Sequence, residues 1–279
     1  MLLASLLMII GGCAIGCTKQ PDNNSIQPSD TDLETNPYEA FVQKIESENL
    51  DKYSIDIVSM LNEHLSQYTS SSGYLYLDAD DITNIDYTLS KCNLSKSSES
   101  ALDDMIIKID IIKNVTFSAG SAEMYVLFAF VLNEDGQFDT VLDEEVTGRA
   151  SGFNYELMDV TGNSRDEIIL QKSVRYHESL SILAWNPKQS SMSIIFDEDL
   201  FHFMLSYTYK NSYHFVPTFS GSYDIRLDSK IYRTENDIIE EGSTRFVYNG
   251  DEYIVGGAYY DYRARSEAIG KMLRANNEE

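Results

Sequence analysis

Apolar positions follow two rhythms along this chain of 279 residues. Early on they recur at helical spacing: Ala40, Phe41 and Ile45, then Ile55, Val58, Leu61 and Leu65. Pro37 suits the first turn of a helix, where its missing N–H costs nothing, and Ser54 offers an N-capping oxygen. Two short helices are predicted. Tyr74 to Leu77 then reads as a strand, Asp78 to Asp86 as an acidic turn or single helical turn, and Asn93 to Ser100 as a polar connection.

From Met105 onward the rhythm is that of strands. Met105 to Ile112 is rich in β-branched residues, and Met124 to Leu132 is continuously apolar, as in a strand covered on both faces. Asn133 to Gly136 forms a turn, with Phe138 to Val146 as the returning partner. Phe153 to Met158, Ile168 to Val174, Leu180 to Trp185, Ser191 to Phe196 and Phe201 to Tyr209 continue the series. So do Ser222 to Leu227, Lys230 to Arg233, Thr244 to Tyr248 and Tyr253 to Val255. Asn249-Gly250 predicts a type I′ hairpin, and Arg263 to Leu273 a closing helix with Ala264, Ala268 and Leu273 as packing positions. The fold class is therefore α+β and β-dominated: short N-terminal helices, a long antiparallel β body and a short C-terminal helix.

The leading residues carry a different message. Met1 to Gly16 contains no charged side chain, and Ile10-Gly11-Gly12-Cys13 and Ala14-Ile15-Gly16-Cys17 each place a small residue before a cysteine. Both resemble the lipobox of bacterial lipoprotein signals, in which that cysteine receives diacylglycerol. Cys17 is favoured because the apolar run reaches Ile15 and the polar chain begins at Thr18; Cys13 is the alternative. No Lys or Arg precedes the apolar core, so a start upstream of Met1 stays open. The resemblance implies a signal peptide over 1–17 and a membrane-anchored, extracytoplasmic protein. Residues 18–37 are almost free of apolar side chains and read as a flexible tether. A mixed helical region over 38–104 and a β-rich domain over 105–279 complete the layout.

Charge narrows the function. Forty-five acidic against 21 basic side chains give a formal net charge of -24, a field that repels phosphate backbones, so no nucleic-acid partner is expected. With three cysteines, two of them in the leader, no internal disulfide framework is available, and Cys92 reads as a buried, inert thiol.

One stretch places oxygen-bearing residues at ligand-like spacing: Asp159-Val160-Thr161-Gly162-Asn163-Ser164-Arg165-Asp166-Glu167, running into Ile168-Ile169. It resembles the FG-GAP/VCBS motif, which builds propeller blades and often holds calcium before a strand. The resemblance implies a partly propeller-blade-like body, and calcium held by Asp159, Thr161 and Asn163 side chains, the Arg165 carbonyl and the Glu167 carboxylate. Asn163 stands where the family usually has Asp, and Ser164 where it usually has Gly. The alternative is a β-turn pinned by hydrogen bonds from the side chains of Asp159 and Asn163.

Enzyme signatures of the nucleophile-elbow, zinc-helix, P-loop and dinucleotide type are missing, so no catalytic residue is assigned. His64 reads as a boundary histidine; His177, His202 and His214 are scattered through the β body. The doublets Glu144-Glu145 and Glu240-Glu241 lie on strands, where neighbours point to opposite faces and do not form an acid/base pair. The aromatic groups Phe201/Phe203/Tyr207/Tyr209 and Tyr259/Tyr260/Tyr262 suit sugar stacking in principle but read as core and edge. The expectation is a lipid-anchored binding or structural domain with an envelope protein or glycan as partner. An envelope hydrolase and a calcium-dependent adhesion module are the alternatives.

Overall fold

The computed structural model describes residues 36–50, 55–69, 82–96, 103–114, 121–148, 151–204, 207–234 and 237–275. Cys13, Cys17, residues 18–35 of the tether, the expected N-cap Ser54 and the strand expected at Tyr74 to Leu77 lie outside them, while the tether's last two residues, Asn36 and Pro37, begin the first helix. Two helices come first, α1 (Pro37–Ser47) and α2 (Ile57–Thr69). The Asn36 side chain caps α1 by accepting from the Tyr38 amide at 2.9 Å, with Pro37 behind it as expected.

Four strands then form an antiparallel sheet in sequence order, the strand order of a propeller blade: β1 (Ile82–Cys92), β2 (Asp104–Asn114), β3 (Ser121–Leu132) and β4 (Phe138–Gly148). Ile82 to Asp86, expected as an acidic turn, is the start of β1. Its alternating exposure suits an edge strand, with Asp86 facing Lys44 of α1 at 3.1 Å. Because β1 pairs with β2 from Ile82 to Cys92, the division drawn after residue 104 runs through a hydrogen-bonded pair.

Alternation sorts the apolar residues of β2 and β3 onto two faces, with Lys108 and Asp110 the charged pair on the second face of β2. Ile107, Ile109, Ile111, Met124, Val126, Phe128 and Phe130 face Phe41, Ile45, Leu61 and Leu65 of the helices. Ile106, Leu127, Ala129 and Val131 face the other way, against Phe153, Ile168, Leu170 and Leu183 of a second sheet.

That second sheet is an eight-stranded antiparallel meander: β5 (Ser151–Met158), β6 (Glu167–Val174), β7 (His177–Asn186), β8 (Ser191–Met204), β9 (Tyr207–Pro217), β10 (Tyr223–Thr234), β11 (Asp237–Tyr248) and β12 (Tyr253–Val255). Several of these strands run differently from the sequence reading: β11 starts at Asp237 instead of Thr244, and the strand expected at Phe201 to Tyr209 is divided between the end of β8 and the start of β9, which continues to Pro217. Residues 197–200 continue β8 instead of ending it, and Asp228-Ser229 continues β10. The β11–β12 turn also differs from type I′. Gly250 has φ +108 but Asn249 does not lie at positive φ; its side chain accepts the amides of Asp251 and Glu252 in a four-residue loop.

The second sheet curls. Phe196 of β8 touches Phe246 of β11 and Tyr253 of β12, with ring centroids at 5.1 and 5.8 Å. A flat sheet would hold β8 and β11 roughly 14 Å apart. The concave face, with Ile182, Leu227, Ile225 and Tyr209 at its centre, is closed by α3 (Tyr262–Ala275). Ala264 and Ala268, expected to pack, are exposed; the buried stripe is Tyr262, Ser266, Ile269 and Gly270. The reason is close approach: a Cβ at Gly270 would lie 2.3 Å from the Tyr207 ring. No helix among the described residues is long and apolar enough to cross a membrane.

Candidate functional site

The loop between β5 and β6 is built from hydrogen bonds to its own carboxylates. Asp159 Oδ1 accepts the amides of Gly162 (2.7 Å) and Asn163 (3.0 Å), and Oδ2 that of Ser164 (2.8 Å). Asn163 Oδ1 accepts the Arg165 amide at 2.9 Å. Glu167, only 1 % exposed, accepts the amides of Val160 (2.8 Å) and Thr161 (3.2 Å) through Oε2 and the Thr161 hydroxyl through Oε1 (3.0 Å). Burial pushes the Glu167 carboxyl up to about 7, against the lowering effect of those donors. Gly162 is required: at φ +74, a Cβ there would sit 2.8 Å from the Ser222 amide nitrogen.

The loop also ties distant strands together. The Val160 carbonyl accepts from the Tyr223 amide at 2.8 Å and from the Tyr253 hydroxyl at 3.3 Å. Asp166 exchanges bonds with Asn93 at the end of β1: its amide donates to the Asn93 carbonyl at 2.7 Å and its carboxylate accepts the Asn93 amide at 2.8 Å. Asn93 Nδ2 donates to the Ser164 carbonyl at 3.0 Å. This is the pinned turn, extended into a clasp between the two sheets. Asp104, which sequence reasoning passed over, does the same for the first sheet. It is 1 % exposed and accepts the amides of Leu94, Ser95 and Leu132 and the Ser95 hydroxyl.

Calcium would have to compete with these bonds. Both oxygens of Asp159 and of Glu167 are engaged by donors, and among the described residues no group of three His, Cys, Asp or Glu side chains is arranged to hold a metal ion. The five residues fit a hydrogen-bonded turn better than a cation cage. Millimolar calcium is therefore expected to leave the thermal midpoint unchanged; a calcium-dependent rise that disappears in Asp159→Ala would reinstate the metal site.

The fold assembles a cluster that spacing did not reveal. His177 and His202 are directly opposed on β7 and β8, with ring centroids 5.6 Å apart. Residues 199 and 202 would point to opposite faces of a regular strand. The register skips Leu200, however, and this bulge lets Asp199 join the same cluster. Asp199 accepts from His177 Nε2 (2.8 Å) and the Tyr209 hydroxyl (3.0 Å), and Arg263 Nε of α3 lies 3.2 Å away. Burial alone would raise its carboxyl, but His177 and Arg263 hold it below the ordinary range. Beside it, Glu198 is raised by burial and accepts from the Tyr262 hydroxyl at 2.7 Å.

The remaining candidates separate. Glu144 bonds Lys172 of the second sheet at 2.5 Å while Glu145 bonds His64 of α2 at 2.7 Å, so this doublet does point both ways. Glu240 pairs with Arg265, and Glu241 lies opposite Lys230 on the other face. Tyr207, Tyr209 and Tyr262 are core, whereas Phe203 and Tyr259 are exposed, Phe203 beside Tyr176. Cys92 is buried, and burial pushes its thiol far up. His214 lies on the convex side of β9, near a shallow groove of about 540 Å³ lined by Ser212, Arg226, Asp228, Lys230, Glu241 and Ser243. No described element packs on that face.

No protein-family model, no curated protein and no solved structure matches the chain.

Proposed function

We propose that this protein is anchored by lipid on Cys17 (Cys13 being the alternative) at the extracytoplasmic face of a cell membrane and presents its β-rich body as a binding domain. The observation that carries the binding reading is the open, grooved face of β9 to β11. Among the described residues no helix or second sheet packs on this polar face, which leaves it free to meet a partner. The anchor reading is supported by the apolar leader and the cysteine that follows it. The test is partition into detergent. The wild-type chain is expected in the detergent phase with an added acyl mass, and Cys17→Ala in the aqueous phase. Retention of the variant with unchanged mass overturns the anchor on that residue.

A second reading, an envelope hydrolase, is favoured by one observation, the His177–Asp199 hydrogen bond, which orients an imidazole as a general base requires. The binding reading expects His177→Ala to leave envelope binding intact. Wall-degrading activity that disappears in that variant, with an unchanged melting midpoint, would replace it with the hydrolase.

A further inference from the structure

The convex face of β9 to β11 breaks the pattern of an otherwise strongly acidic protein. Reading across the strands, His214, Arg226 and Arg245 form one row, and Lys210, Lys230 and Glu241 another. Between them runs a row of small or acidic residues, Ser212, Asp228 and Ser243. The two cationic rows are four residues apart along each strand, about 13 Å, with the small row midway. Lys210 and Lys230 are directly opposed, and neither has an ion-pair partner among the described residues. Arg226 and Arg245 are directly opposed as well, although each leans on a carboxylate, Asp228 and Asp224 respectively.

Like charges directly opposite each other destabilise a sheet; Asp228 and Asp224 meet the two arginines and Glu241 flanks Lys230, so Lys210 is the cation of this face that no ion pair among the described residues meets. The rest of the face narrows the ligand. A chain of net charge -24 disfavours a long polyanion, and no aromatic ring lies between the rows to stack on bases. The groove has the volume of a small-molecule site; Lys230 and Arg226 line it with two hydroxyls and the Asp228 carboxylate, and Lys210 stands beside it, directly opposite Lys230. Hydroxyl-rich ligands suit the floor and phosphate suits the lysine row.

We propose that this groove binds a phosphorylated sugar or polyol, its phosphate on Lys210 and Lys230 and its hydroxyls on Asp228, Ser212 and Ser243. The inference rests on the binding reading above and is independent of the anchor at Cys17.

Calorimetry of the full chain in 50 mM salt, where the Debye length is about 14 Å against about 8 Å at physiological ionic strength, tests it with glucose 6-phosphate, glucose and inorganic phosphate as probes. Glucose 6-phosphate is expected to bind at least tenfold more tightly than either fragment. Lys210→Gln/Lys230→Gln is expected to weaken it at least tenfold while leaving the thermal midpoint within about a degree, because the lysine–lysine repulsion and the Lys230–Glu241 attraction are lost together. The unchanged midpoint separates loss of the site from loss of the fold. Poly(glycerol phosphate) is expected to bind no more tightly per phosphate than glycerol 3-phosphate; tighter binding would overturn the choice of a small ligand over a polyanion. No heat at 10 mM glucose 6-phosphate, equal binding of inorganic phosphate, or undiminished binding in the double variant overturns the proposal. Such a failure with Cys17-dependent partition intact removes this ligand and leaves the anchored protein standing.

Discussion

Glu167→Ala is expected to destabilise the chain by roughly 3–5 kcal/mol, near the upper end for a single substitution. The carboxylate is almost wholly buried and satisfies the Val160 amide, the Thr161 amide and the Thr161 hydroxyl. Removing it leaves buried donors without an acceptor, at about 1–3 kcal/mol each. The damage spreads because Val160, once released, no longer presents its carbonyl to Tyr223 and Tyr253. Glu167→Gln keeps one acceptor oxygen and should lose about half as much. Urea unfolding followed by circular dichroism measures both; a loss below about 1 kcal/mol for the alanine variant would mean that the loop is not the clasp described.

Stability is also expected to fall as pH rises from about 5 to 8, the reverse of ordinary acid denaturation. Glu167 and His64 act in this direction, and so does Glu198, whose carboxyl burial also raises. The folded Glu167 carboxyl is raised from 4.5 to about 7, so its contribution is complete below pH 4.5 and is lost as pH rises through about 7. At about 1.4 kcal/mol per unit, that is on the order of 3 kcal/mol. His64 is clamped by Glu145 at Nδ1 and by Asp143 at Nε2, both at 2.7 Å, with its ring against Phe128. The Glu145 bond, opposed by burial and helped by the Asp143 charge, raises its pKa above 6.5. Its contribution is therefore complete below pH 6.5 and is lost as pH climbs through the raised value. Unfolding free energies at pH 5, 6, 7 and 8 measure the slope. Glu167→Gln should flatten the lower part and His64→Gln the upper part, the latter also lowering stability at pH 6 by on the order of 2 kcal/mol. A profile that rises with pH would contradict both assignments.

The unbroken apolar run Met124 to Leu132 made the two-sided core at β3 legible, because a strand covered on both faces has no polar side. The end of β8 was hidden by Asp197-Glu198-Asp199, which reads as a turn until Tyr262 and Arg263 of α3 arrive to receive Glu198 and Asp199. The same long-range contact conceals the histidine cluster. A single bulge at Leu200 changes which side Asp199 takes, and bulges have no reliable signature in one sequence. Ala264 and Ala268 look like packing residues by hydropathy, but α3 approaches Tyr207 so closely that the contact selects Gly270. The loop at Asp159 was found by its oxygen spacing. That spacing serves backbone amides as well as it serves a cation, so it located the element without fixing what the oxygens hold.

Every hydrogen-bonded strand pair joins strands adjacent in the chain, in both sheets. This has a kinetic consequence. Each hairpin closes over a short segment, so little loop entropy is lost before its bonds form. Assembly can therefore proceed from β1 onward as the chain emerges end first, without waiting for a distant partner. The long-range bonds come last: Tyr253 to the Val160 carbonyl and Tyr262 to Glu198 form only when the final residues arrive. A chain halted before residue 253 would hold its hairpins and lack the fastening that makes them one body.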